Sequence, residues 1–217
     1  MDKLIKSELS IIDAASCLAR MDSERAWEIR DKAAKEAKDE SDKFDILGGL
    51  KGLDSDRAWQ MREQLIKDGQ LGPEWFNGCL AGMDSERAWA EREKLLRLDR
   101  ISVAHSVSFI AKGLIGLDSE RAWQMREEII KEFPNRTNEV LCGLAGVDSE
   151  RAWQMREKAL DKEGSVGSVA ASLAGLNSER AWQMREKVLS LANNKNNTSF
   201  SDRRNIINGL ARGTALL

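Results

Sequence analysis

The sequence predicts an all-α protein, an α-solenoid of tandem two-helix repeats with six full repeats and a terminal half repeat, and three observations predict it. A phrase close to LDSERAWQMRE recurs six times, beginning at Met21, Leu53, Met83, Leu117, Val147 and Leu176. Its tryptophans, Trp27, Trp59, Trp89, Trp123, Trp153 and Trp182, stand 32, 30, 34, 30 and 29 residues apart, the spacing of units that each form one supersecondary element. Upstream of the phrase lies a shorter apolar segment ending in GLKG, CLAG, GLIG, GLAG or SLAG, so each unit carries two helices. The units run approximately 1–38, 39–69, 70–99, 100–133, 134–163 and 164–194, with a capping half repeat at 195–217, all in one domain.

The first helix of each unit is short. Leu18, Leu50, Leu80, Leu114, Leu144, Leu173 and Leu210 form one column, and four residues earlier stand Ala14, Ile46, Phe76, Ile110, Val140, Val169 and Ile206, which makes a core stripe. The residue before each Leu is small (Cys17, Gly49, Cys79, Gly113, Gly143, Ser172, Gly209), as close approach of a neighbouring helix requires.

The turn follows. Gly52, Gly82, Gly116, Gly146 and Gly175 stand where a helix ends in a left-handed residue, and Arg20 takes that place in the first unit. Next comes Asp22, Asp54, Asp84, Asp118, Asp148 or Asn177, read as the N-cap of the second helix, with a side-chain oxygen as the shared requirement. A Ser and an acid then fill the first turn, where negative charge suits the helix dipole.

The second helix is long and amphipathic. At about 100° per residue, Ala122, Trp123, Met125, Ile129, Ile130 and Phe133 share one arc, with Arg126 in its middle. Its counterparts Arg30, Arg62, Arg92, Arg156 and Arg185 never change, so with the six tryptophans they form a structural staple between repeats. Each buried guanidinium needs a carboxylate or the carbonyls ending a short helix, and a Trp face gives cation–π support. Variation in length falls between units, where Pro73, Pro134 and NNKNNTS sit. The final segment, SDRRNIINGLARGTALL, supplies a lone short helix with Arg203, Arg204 and Arg212, follows Lys195 in the loop before it, and caps the stack.

The format of this unit resembles that of tetratricopeptide, HEAT and related α-solenoids, without the tetratricopeptide residue pattern. It is also similar in format to transcription activator-like effector repeats. Their turn pair varies to read DNA bases, whereas the pair here is uniformly Gly-Leu, Gly-Met or Gly-Val in the middle repeats, which carries no code.

Catalysis finds no anchor. The one histidine, His105, begins a short helix, no phosphate-loop or nucleophile-elbow motif occurs, and no metal-ligand spacing or cofactor is implied. Cys17, Cys79 and Cys142 read as reduced, buried thiols. With no signal peptide or spanning run, the expectation is a cytoplasmic protein that does not engage membranes. A net charge of −2 gives no general attraction to nucleic acid.

Two surfaces remain as candidates. Five residues before each Leu, the short-helix column reads Asp13, Asp45, Trp75, Phe109, Glu139, Ser168 and Asn205, changing from unit to unit as a partner-reading face must. A non-catalytic scaffold binding a protein or peptide there, anchored by Trp75 and Phe109 between Asp45 and Glu139, is the leading expectation. The alternative is a nucleic-acid backbone ladder of Arg57, Arg87, Arg121, Arg151 and Arg180, although the adjacent acids make self-screening rows more economical. A further alternative is a self-assembling array.

Overall fold

In the computed structural model, residues 10–69, 72–98, 100–162 and 164–194 are described. They are helical, with no strand among them. The predicted half repeat at 195–217, including Leu210 and the basic residues, lies outside the described residues, as does the side chain of His105. The chain divides into two compact units, Met1–Leu98 and Asp99–Leu217.

The first unit alternates short and long helices: α1 (Ile11–Ser16), α2 (Glu24–Glu36), α3 (Glu40–Gly48), α4 (Asp56–Gly69), α5 (Pro73–Gly78) and α6 (Glu86–Leu96). The second continues with α7 (Arg100–Gly113), α8 (Glu120–Glu132), a 3₁₀ turn at Pro134–Arg136, α9 (Thr137–Cys142), α10 (Glu150–Leu160), α11 (Val166–Ser172) and α12 (Glu179–Asn194). Within each unit the first helices of the pairs pack closely on one another, α1 on α3 and α9 on both α7 and α11. Contrary to expectation α7 is not short: it has 14 residues and begins five residues before His105, which lies inside the helix and not at its start.

Small residues make that approach possible. A β-carbon on Gly49 would fall 1.9 Å from the Ala15 carbonyl oxygen, and one on Gly143 would fall 2.5 Å from that of Ala111. The column beside them is the core: Leu50, Leu80, Leu114, Leu144 and Leu173 are all buried, as are Ile46, Phe76, Ile110, Val140 and Val169. Each such Leu or Ile stabilises the fold by about 2 kcal/mol on transfer from water.

The turns adopt the left-handed backbone the glycines imply, with φ of +74° at Gly52, +76° at Gly82, Gly116 and Gly146, and +80° at Gly175. Arg20 takes the same conformation at φ +65° despite its side chain. Successive turns are joined through the backbone: Gly116 N–H donates to Ala145 O, and Gly146 N–H to Ala174 O, each at 2.9 Å. Arg20 N–H reaches Lys51 O in the same way at 2.9 Å.

The cap lies one residue later than expected. Ser23, Ser85 and Ser119 are the N-caps, their hydroxyls accepting from Ala26, Ala88 and Ala122 N–H. The aspartates are thereby freed for another partner. The thiols also differ from one another: Cys79 is buried and Cys142 half-buried, but Cys17, expected to be buried, is exposed. Burial pushes the Cys79 thiol up to about 11 and raises that of Cys142 as well.

Candidate functional site

Most invariant polar side chains of the phrase are spent inside the molecule. Arg126, 1% exposed, donates from Nη2 to Leu114 O at 2.8 Å and Leu117 O at 2.9 Å, the carbonyls on either side of the turn of its own hairpin. The same nitrogen reaches Gly143 O, at the end of the next short helix, at 3.3 Å. Arg30 repeats this on Leu18, Met21 and Gly49. Arg156 does so on Leu144, Val147 and Ser172. Arg62, Arg92 and Arg185 hold the two carbonyls of their own turns. A positive charge among the carbonyls that end a helix meets the negative end of its dipole. Burial lowers Arg62, Arg126 and Arg156 to about 10, still charged at neutral pH.

The tryptophans connect this layer to the surface. Trp123 Nε1 donates to Asp118 Oδ1 at 2.7 Å, and Trp27, Trp59, Trp89 and Trp153 do the same with Asp22, Asp54, Asp84 and Asp148. Where Asn177 replaces Asp, its oxygen accepts from Trp182 Nε1 at 3.1 Å, so the shared requirement is an acceptor for the indole. The same oxygen serves the next repeat, taking a hydrogen bond from Ser85 Oγ at Asp54 and from Ser149 Oγ at Asp118.

The first-turn arginines complete the lattice. Arg57 bonds Asp31 at 2.8 Å and Glu24 at 3.1 Å, and its guanidinium carbon lies 4.7 Å over the Trp27 ring. Arg87 pairs with Glu63 and Asp56 and covers Trp59 at 4.4 Å. Arg151 pairs with Glu120 and Glu127 over Trp123, and Arg180 with Glu150 and Glu157 over Trp153. These hydrogen bonds raise Arg57, Arg151 and Arg180 above the usual arginine value, from Asp31, Glu127 and Glu150 first of all. Arg121, the remaining ladder position, is half-buried in α8. Four of the five predicted phosphate contacts thus sit between two carboxylates and a ring, an arrangement that offers a polyanion no net positive stripe.

The acid seven residues into each long helix was the missed half of this site. Asp31, Glu63, Glu127 and Glu157 each hold a first-turn arginine of the following repeat. Their regular recurrence is visible in the sequence. Their partners, 23 to 26 residues away, are not.

The variable short-helix column is a gradient of burial. Asp13 is exposed and closes a capping box with Ser10, whereas Ser168 is buried. Asp45, Trp75, Phe109 and Glu139 are half-buried, between core and open surface. Trp75, in the first unit, packs beside the core that contains Leu47 and Cys79, and meets the ring of Phe44 edge to face at 4.7 Å. Phe44 itself is 41% exposed. Phe109, in the second unit, carries Lys112 Nζ 5.1 Å from its centroid, and Glu139 pairs with Arg136 at 2.9 Å. Among the described residues no helix is long and apolar enough to cross a membrane. No family model, curated protein or solved structure matches this chain.

Proposed function

We propose that the chain is an α-solenoid scaffold without catalytic activity that binds a protein or peptide partner along its short-helix column. The observation that carries this reading is the pairing of Trp75 with Phe44, two aromatic rings in contact with one of them 41% exposed. An aromatic body held at the surface by a rigid helical frame is the chemistry of an interface anchor, and preorganisation keeps the entropic cost of binding low. The acids beside it, Asp45 in α3 and Glu74 in α5, favour a partner segment with a basic residue flanking an apolar one.

The test is selection of peptides from a random library on the native chain, followed by fluorescence anisotropy on Phe44→Ala and Trp75→Ala. Selected peptides bind the parent and weaken by about tenfold or more on each variant, while the helical circular dichroism and its thermal transition are retained. Unchanged binding on both variants, or loss of the fold in Phe44→Ala, would overturn the reading. Mixed-sequence DNA and RNA serve as the comparison and show no anisotropy change at low salt.

A further inference from the structure

A socket for an arginine recurs on the long helices. In α10 it consists of Glu150, Trp153 and Glu157, and Arg180 fills it, with bonds of 2.7 and 2.9 Å to the two acids. The matching residues of α12 are Glu179, Trp182 and Glu186. Among the described residues no first-turn arginine lies on them. Trp182 is 47% exposed, against 3% for Trp153 and 1% for Trp59, and Leu189 is 39% exposed where its counterpart Leu160 is 8%.

At the opposite end of the described chain the filling groups are left over. Arg25 corresponds to Arg57 and Arg180, is exposed, and pairs with no carboxylate among the described residues. Met21 is 50% exposed, whereas its counterparts Leu53, Met83 and Val147 are 5%, 3% and 1%. Each of those shares a core cluster with the tryptophan of the preceding repeat: Leu53 with Trp27, Met83 with Trp59, Val147 with Trp123. The serine-to-aspartate bond between repeats has its unfilled pair as well, in Ser23 and Asn177.

We propose that a second copy of this chain docks head to tail, with Met21 and Arg25 of one molecule seated on Trp182, Glu179 and Glu186 of the other. The apolar groups match in kind, one guanidinium meets two carboxylates, and the contact reproduces one the fold already makes within each unit. Because the two patches are different surfaces, the contact is heterologous and leaves each end free to take a further copy, so assembly grows with concentration. It weakens with salt, since the charges stand at an accessible rim. The short-helix column takes no part, so this inference stands or falls separately from the partner-binding reading.

Sedimentation velocity of the full chain over a concentration series tests it, with Arg25→Glu and the double variant Glu179→Arg/Glu186→Arg. The parent gains mass with concentration. Each variant alone loses about tenfold or more in self-association, because like charges then face each other, and an equimolar mixture regains it, because each altered end meets an end of opposite charge. Circular dichroism establishes that both variants are folded. A parent that stays monomeric at its highest soluble concentration, a parent whose association survives Arg25→Glu, or a mixture that fails to recover would each overturn the proposal.

Discussion

The guanidinium of Arg151, in α10, lies 4.7 Å over the indole of Trp123 in α8. The same ring carries Arg126 from its own helix at 4.8 Å, so one tryptophan receives a buried charge and a surface charge. The two arginines contribute very unequally. Arg126→Ala strands the carbonyls of Leu114 and Leu117 away from water, and each unmet acceptor costs about 1–3 kcal/mol, so a loss of about 3 kcal/mol or more is expected. Arg151→Ala removes two ion pairs that solvent screens and a ring contact, so its loss is expected to be clearly the smaller of the two. Urea unfolding of the two variants measures the difference. Equal losses would mean that the buried carbonyls find other donors.

Asp118 accepts from Trp123 Nε1 and from Ser149 Oγ, so its oxygen serves two repeats. Asp118→Asn keeps an acceptor in place, as Asn177 does for Trp182, and is expected to stay within about 0.5 kcal/mol of the parent. Asp118→Ala leaves the indole N–H without its acceptor and is expected to cost about 1–3 kcal/mol. If a thermal or urea series ranks Asn with Ala, the charge rather than the oxygen is what the position requires.

Two glycines separate backbone strain from steric exclusion. Gly116 has open space around a β-carbon, so Gly116→Ala suffers only from its φ of +76°, for about 1 kcal/mol. Gly49 has an ordinary φ, but its β-carbon would fall 1.9 Å from the Ala15 oxygen, which forces α1 and α3 apart. Gly49→Ala is therefore expected to be the more damaging by several fold in denaturation free energy, with added exposure of Arg30, whose Nη2 bonds Gly49 O. A milder effect at Gly49 than at Gly116 would show that the short helices separate at little cost.

The sequence by itself determined the helix pairs, the left-handed turns and the apolar columns, because these are set by interactions a few residues long. A glycine is needed where φ is positive, and a leucine every unit marks the face that water leaves. The six constant arginines were legible as buried charges for the same reason, since Arg126 lies in the middle of an apolar arc. The tertiary structure alone decided their partners. Arg151 reaches Glu120 and Glu127 only because α8 and α10 stand side by side, 31 and 24 residues apart in the chain, and no local rule selects those acids from the many others. The aspartates show the same limit at shorter range. A serine takes the cap, and the aspartate before it turns to an indole five residues on, a choice made by where the packed tryptophan places its N–H.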